Sequence, residues 1–61
     1  MEVEILFKVD GESKPRDIMF AGVKKIEEFN KKNLPMLKII FEDGSFAYIC
    51  MRNLIFLNPI F

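Results

Sequence analysis

Two apolar runs on either side of Asp43-Gly44 form the clearest pattern in the chain, over residues 36–51. An Asp-Gly pair in this position is typical of a β-hairpin closed by a two-residue type I′ turn. Counting outward from that turn pairs Ile39 with Tyr48 and Leu37 with Cys50. Because side chains alternate between the two faces of a strand, one face is then almost wholly apolar. We predict that this face is core, and it consists of Leu37, Ile39, Phe41, Phe46, Tyr48 and Cys50.

The opposite face of the predicted hairpin is also rich in apolar residues. It carries Met36, Ile40, Ala47, Ile49 and Met51. A hairpin face destined for water would alternate more clearly to polar residues. We therefore expect another part of the chain, a second copy or a partner to cover it.

The two ends of the chain have strand patterns. Residues 2–9 alternate between apolar and polar positions, which predicts a half-buried strand, and Asp10-Gly11 then predicts a turn into a polar loop that ends at Pro15. Residues 54–57 resume an apolar run after Arg52-Asn53. A strand, a tight turn and another short strand are typical of the last corner of a small SH3-like barrel.

The middle segment, residues 16–33, supports two interpretations. As a helix from Asp17 to Asn33 it separates apolar from charged side chains, but Gly22 lies inside it at a cost of about 1 kcal/mol. As strands, 17–21 and 23–29 bend at Gly22, and the opposite parity of Val23 and Ile26 then requires a bulge or a change of face. We predict strands. The expected fold is a single all-β domain over 1–61, an antiparallel meander or SH3-like barrel; the alternative is an α+β fold of β-α-β-β order with a helix at 17–33.

Composition narrows the classes of function. Nine basic and nine acidic residues cancel, which removes the electrostatic footprint of a dedicated nucleic-acid or membrane binder. One cysteine and no histidine exclude an internal disulfide and a Cys/His metal cage, and we expect no cofactor and no metal. The lone cysteine and the absence of a signal-peptide pattern predict a cytoplasmic location. A core of this size is marginal, which favours self-association.

No set of residues predicts catalysis. Glu27-Glu28 and Glu42-Asp43 are the close acidic pairs, and neither has a histidine or nucleophile to complete a site. Cys50 is expected to be a buried, inert thiol. We therefore expect no catalytic residues, no small-molecule substrate and no enzymatic activity.

Two surfaces are candidates for binding. Apolar residues beyond what one small core can take predict a partner or oligomer interface, made of Met36, Ile40, Ile49, Met51, Ile55, Leu57 and Phe61. The alternative is a weak site for single-stranded nucleic acid, made of Lys24, Lys25, Phe29, Lys31 and Lys32. Glu27-Glu28 interrupts these lysines, which favours a solvated, charge-paired face over nucleic-acid binding.

The order of turn and core residues resembles that of small, strand-rich, uncharacterised proteins from Gram-positive bacteria and their phages. The resemblance is carried by Phe20-x-x-Val23-x-x-Ile26, Leu37-x-Ile39-x-Phe41-x-Asp43-Gly44-Ser45 and Tyr48-x-x-x-x-Asn53-Leu54-x-Phe56. It implies a cytoplasmic accessory protein that works by contact and, among phage members, one that inhibits or adapts a host protein. A looser similarity is to Sm-like RNA-binding barrels, although Met51-Arg52-Asn53-Leu54 lacks the glycine of their motif. We predict a non-enzymatic, self-associating protein-binding module.

Overall fold

The computed structural model describes residues 1–60, and they form two three-stranded antiparallel sheets. The strands are β1 (Glu2–Phe7), β2 (Arg16–Phe20), β3 (Val23–Lys31), β4 (Leu34–Phe41), β5 (Phe46–Cys50) and β6 (Leu54–Ile60). The first sheet has the order β2-β1-β6, and the second has the order β3-β4-β5. A turn of 3-10 helix at Met51–Asn53 joins β5 to β6. The predicted all-β class is confirmed, the alternative helix at 17–33 is wrong, and the arrangement is compatible with a small β meander or barrel-like fold.

The bend at Gly22 carries the chain from the first sheet to the second. Gly22 has a φ of +68°, a left-handed conformation that glycine adopts at little cost. The pairing of β3 with β4 shifts between Val23 and Lys25, so Lys24 is the extra residue of a bulge. This bulge places Val23 and Ile26 on the same face, which is one of the two ways in which their opposite parity could be accommodated. The corner is held by Met1, whose carbonyl accepts the Val23 N–H at 2.9 Å and whose amino group donates to the Val23 carbonyl at 2.8 Å.

The hairpin around Asp43-Gly44 exists, but its predicted register is wrong by one residue. Ile39 pairs with Ala47, and the Phe41 N–H donates to the Ser45 carbonyl at 2.8 Å. The loop therefore has three residues. The Gly44 N–H donates to the Phe41 carbonyl at 3.0 Å, and Gly44, with a φ of +88°, follows that turn as a bulge. This is a type I turn with a left-handed glycine, whereas a type I′ turn would need a positive φ at Asp43 as well.

The type I′ pattern occurs instead in the β3–β4 hairpin. Lys32 and Asn33 form its two-residue loop with φ values of +50° and +66°, and Lys31 pairs with Leu34 across it. Positive φ at both central positions is what this turn type requires. A dipeptide such as Asp43-Gly44 therefore does not determine the turn type by itself. The hydrogen bonds between the flanking strands decide which two residues occupy the central positions of the turn.

The core lies between the inner faces of the two sheets. Five residues are at most 3% exposed, and they are Val3, Ile5, Val23, Leu37 and Ile39. Partly buried side chains surround the core cluster, namely Phe7, Phe20, Ile26, Phe41, Ile49, Leu54 and Leu57. Because both sheets contribute, their outer faces point to opposite sides of a flat molecule of 31 × 27 × 16 Å.

The shift in register turns β5 over. Ala47 and Ile49 pair with the buried Ile39 and Leu37, so they face the core. The prediction that Phe46, Tyr48 and Cys50 belong to the core is therefore wrong, while the prediction is confirmed for Leu37 and Ile39, and Phe41 packs against the core. The second apolar face predicted for this hairpin is divided in the same way. Met36 and Ile40 point outward, and Ala47 and Ile49 point inward.

Candidate interaction surface

The outer face of the second sheet is the largest concentration of aromatic side chains outside the core. Directly paired residues of antiparallel strands share a face, so the register defines its members. They are Lys25, Glu27, Phe29, Lys31, Leu34, Met36, Lys38, Ile40, Phe46, Tyr48 and Cys50, which we call the aromatic face. On its edge strand β5, Phe46 is 52% exposed and Tyr48 is 51% exposed.

Three rings on this face contact one another in a line. The ring centroids of Phe46 and Tyr48 lie 5.2 Å apart, and those of Tyr48 and Phe29 lie 5.6 Å apart. Their interplanar angles of 72° and 67° set the edge of one ring against the face of the next. Beside them, Phe29, Lys31, Met36 and Tyr48 line a groove of about 280 Å³.

The charges on the aromatic face are mostly positive. Lys25, Lys31 and Lys38 are opposed by the single carboxylate of Glu27, which leaves a formal charge of 3 − 1 = +2. The Lys25 Nζ lies 2.8 Å from a Glu27 carboxylate oxygen, and this hydrogen bond, with the lysine charge, lowers the pKa of Glu27. The Lys38 Nζ lies 4.4 Å from the Phe46 ring centroid, a cation–π contact. Lys31 forms no ion pair with any of residues 1–60.

Six of the seven residues of the predicted interface lie within residues 1–60, and these six do not form one surface. Met36 and Ile40 lie on the aromatic face, whereas Ile49 and Leu57 pack against the core. Met51 is half-buried in the 3-10 turn. Ile55 is 53% exposed at a bulge in β6. Phe61 lies outside the described residues.

The residues of the alternative nucleic-acid site are partly together. Lys25, Phe29 and Lys31 lie on the aromatic face, Lys24 is at the bulge, and Lys32 is in the β3–β4 turn. Sequence reasoning missed Phe46, Tyr48 and Lys38 as members of the same surface. The sequence of β5 contains part of the answer, because Ala47 and Ile49 alternate with Phe46 and Tyr48 and only one of these two pairs can face the core. The length of the loop before β5 decides which pair it is.

Other chemistry finds little support in the part of the chain that the structure describes. No three His, Cys, Asp or Glu side chains of residues 1–60 lie close enough to hold a metal ion. Cys50 is a half-buried free thiol at one end of the aromatic face. None of the described residues belongs to a helix long and apolar enough to cross a membrane.

Comparison of the chain with known protein families, with curated proteins and with solved structures finds no significant match.

Proposed function

We propose that this protein is a non-enzymatic protein-binding module and that the aromatic face is its docking surface. The observation that carries the proposal is the contacting pair Phe46 and Tyr48, each about half exposed on the edge strand β5 of one sheet face. Aromatic residues and methionine are enriched in the centres of protein interfaces, where they contribute most of the binding energy. Large apolar patches on a protein surface mark sites of interaction, so we expect a partner to cover the aromatic face.

The charges of the aromatic face indicate what kind of partner fits it. Lysines lie around and between the rings, and the net charge is positive. Complementary potentials speed encounter and select against wrong partners. The expected partner therefore presents an apolar centre with carboxylates at its rim.

The geometry of the rings favours a protein over single-stranded nucleic acid. Bases bind such platforms by stacking on free ring faces. Here the edge-to-face contacts of Tyr48 with both phenylalanines occupy ring faces, and the Lys38 ammonium covers one face of Phe46. The formal net charge of zero also gives little long-range attraction for phosphates.

The resemblance to accessory proteins of Gram-positive bacteria and their phages supports a cytoplasmic role in which binding inhibits or adapts a host protein. No reaction is part of this proposal. The module acts by occupying a surface of its partner.

The test compares three immobilised forms of the protein in affinity capture. They are the wild type, the variant Phe46→Ser/Tyr48→Ser and the control Ile55→Ser, which removes an equally exposed apolar side chain from the other sheet. We expect a protein that the wild type and control retain and the double variant loses. With the purified partner, the double variant should bind at least about tenfold more weakly.

Two results would overturn the proposal. One is a set of captured proteins that is the same for all three forms. The other is binding of a fluorescent single-stranded oligonucleotide that the double variant loses and that weakens steeply with salt, because this would assign the aromatic face to nucleic acid.

A further inference from the structure

The outer face of the first sheet is apolar and acidic. In β1, the central strand of this sheet, Val3 and Ile5 are fully buried and point inward. The alternate positions of β1 and their cross-strand partners therefore point outward. They are Glu2, Glu4, Leu6, Asp17, Met19, Phe56, Asn58 and Ile60, which we call the acidic face. Met19, Phe56 and Ile60 are exposed on it.

The three carboxylates of the acidic face have no cation among them. A hydrogen bond with Asp17 and the charge of Asp17 raise the pKa of Glu4, and partial burial acts in the same direction. Arg16 begins the neighbouring strand, but its guanidinium already binds both oxygens of Glu12, at 3.0 and 2.6 Å. The acidic face therefore has a formal charge of −3 and nothing within residues 1–60 that neutralises it.

The two outer faces are complementary to each other. One is apolar with a formal charge of +2, and the other is apolar with a formal charge of −3. We infer that the partner of the aromatic face is the acidic face of a second copy of this chain, so that copies associate head to tail. This inference rests on the proposed docking role of the aromatic face and names its occupant.

Charge also decides against a symmetric dimer. A two-fold contact would set the aromatic face, with its formal charge of +2, against itself, or the acidic face, with its three carboxylates, against itself, and contact between like-charged surfaces is disfavoured. Because the two faces lie on opposite sides of the molecule, a head-to-tail assembly of any length has one free aromatic face at one end and one free acidic face at the other. A head-to-tail contact of this geometry adds copies in a chain and does not stop at two.

The size of the faces determines how much of each one a specific contact must use. The two longer dimensions of the molecule, 31 and 27 Å, limit each face to about 840 Å². Interfaces of standard size bury about 800 Å² on each partner. A head-to-tail contact of standard size therefore uses nearly the whole of each face.

The test uses two variants that each disable one face, studied by sedimentation equilibrium. Phe46→Ser/Tyr48→Ser removes two of the three rings of the aromatic face, and Glu4→Lys/Asp17→Lys reverses the charge of the acidic face. Circular dichroism first establishes that both are folded. Should the second variant not fold, Glu4→Gln/Asp17→Asn replaces it, since it removes both charges and keeps the side-chain sizes.

The expected masses are distinct for each sample. Wild type and Ile55→Ser should rise with concentration past twice the 7.2 kDa monomer mass and fall back in high salt. Each variant alone should stay a monomer. An equal mixture of the two should give a 1:1 dimer and stop there, because together they retain one intact aromatic face and one intact acidic face.

Three results would overturn head-to-tail association. A wild type that stops at two copies, with no dimer in the mixture, would show a symmetric contact. A monomeric wild type whose captured partner is lost by Phe46→Ser/Tyr48→Ser would refute the inference and leave the proposed function intact. A monomeric wild type with no partner that depends on these two residues would refute both.

Discussion

The register of β5 decides which side chains the protein offers to a partner, and two neighbouring substitutions test it. Tyr48 is half exposed on the aromatic face, whereas Ile49 packs against the core opposite Leu37. We compare Tyr48→Lys with Ile49→Lys. In a hairpin with a two-residue turn, the two positions would exchange places.

The expected costs differ enough to separate the two registers. Full burial of a large apolar side chain contributes about 1.5–3 kcal/mol, so the half-exposed Tyr48 loses about 1 kcal/mol, and the new lysine remains in water. Ile49→Lys loses the apolar contribution and also desolvates an ammonium group, which costs several kcal/mol more. Its total of about 4 kcal/mol or more is comparable to the ~3–9 kcal/mol by which a domain of this size is stable.

Thermal unfolding followed by far-ultraviolet circular dichroism measures both effects. A domain of about this length loses roughly 8 °C of Tm for each kcal/mol. Tyr48→Lys should therefore unfold cooperatively within about 10 °C of the wild type, and Ile49→Lys should be largely unfolded at 25 °C. The opposite order, with Tyr48→Lys unfolded and Ile49→Lys folded, would refute the register and remove Tyr48 from the docking surface.

Three further predictions concern the loops. Gly44→Ala should lower the free energy of unfolding in urea by about 1–2 kcal/mol, because a new Cβ meets nothing within 4 Å and only the left-handed φ carries a cost. Gly44→Asn should lower it by less, because Asn tolerates a left-handed φ better than Ala, and equal losses for the two variants would contradict this explanation. Lys32→Asn/Asn33→Gly should raise the unfolding free energy by about 1 kcal/mol, because Asn-Gly suits a type I′ turn; a loss of stability would show a different turn. Hydrogen bonds from Ser45 lower the pKa of Asp43, so they stabilise the fold above its ordinary value of 3.8 and are lost as the pH falls through the lowered value. Asp43→Asn should flatten the loss of Tm as the pH falls below 3.8, and a wild-type slope that Asn leaves unchanged would refute this contribution.

The sequence predicts the strands well because most of their signals are local. The alternation over residues 2–9 put Val3 and Ile5 on one face, which is buried in the core. The opposite parity of Val23 and Ile26 indicated a bulge or a change of face, and a bulge is found at Lys24. The bend at Gly22 likewise follows from a single residue type that tolerates its φ.

The candidate surface could not be predicted in full because it depends on the length of one loop. The dipeptide Asp43-Gly44 is compatible with a two-residue loop and with a three-residue loop. A change from one loop length to the other moves every side chain of β5 to the opposite face of the sheet. The side-chain oxygen of Asp43 accepts from the Ser45 N–H at 2.9 Å, and this bond belongs to the three-residue loop. The pairing of the two sheets also brings distant segments together, so the acidic face of β1, β2 and β6 has no signal in any single stretch of sequence.

The most direct test of the docking role is a series of nitrogen-15 correlation spectra of the folded protein, recorded from dilute to concentrated solution. If the aromatic face binds the acidic face of a second copy, the resonances that move with concentration should belong to both faces, on β3, β4 and β5 and on β1, β2 and β6. A different protein partner, once added, should move only those of β3, β4 and β5. Resonances of the aromatic face that stay fixed at every concentration and after addition of the captured partner, but move with a single-stranded oligonucleotide, would contradict the account.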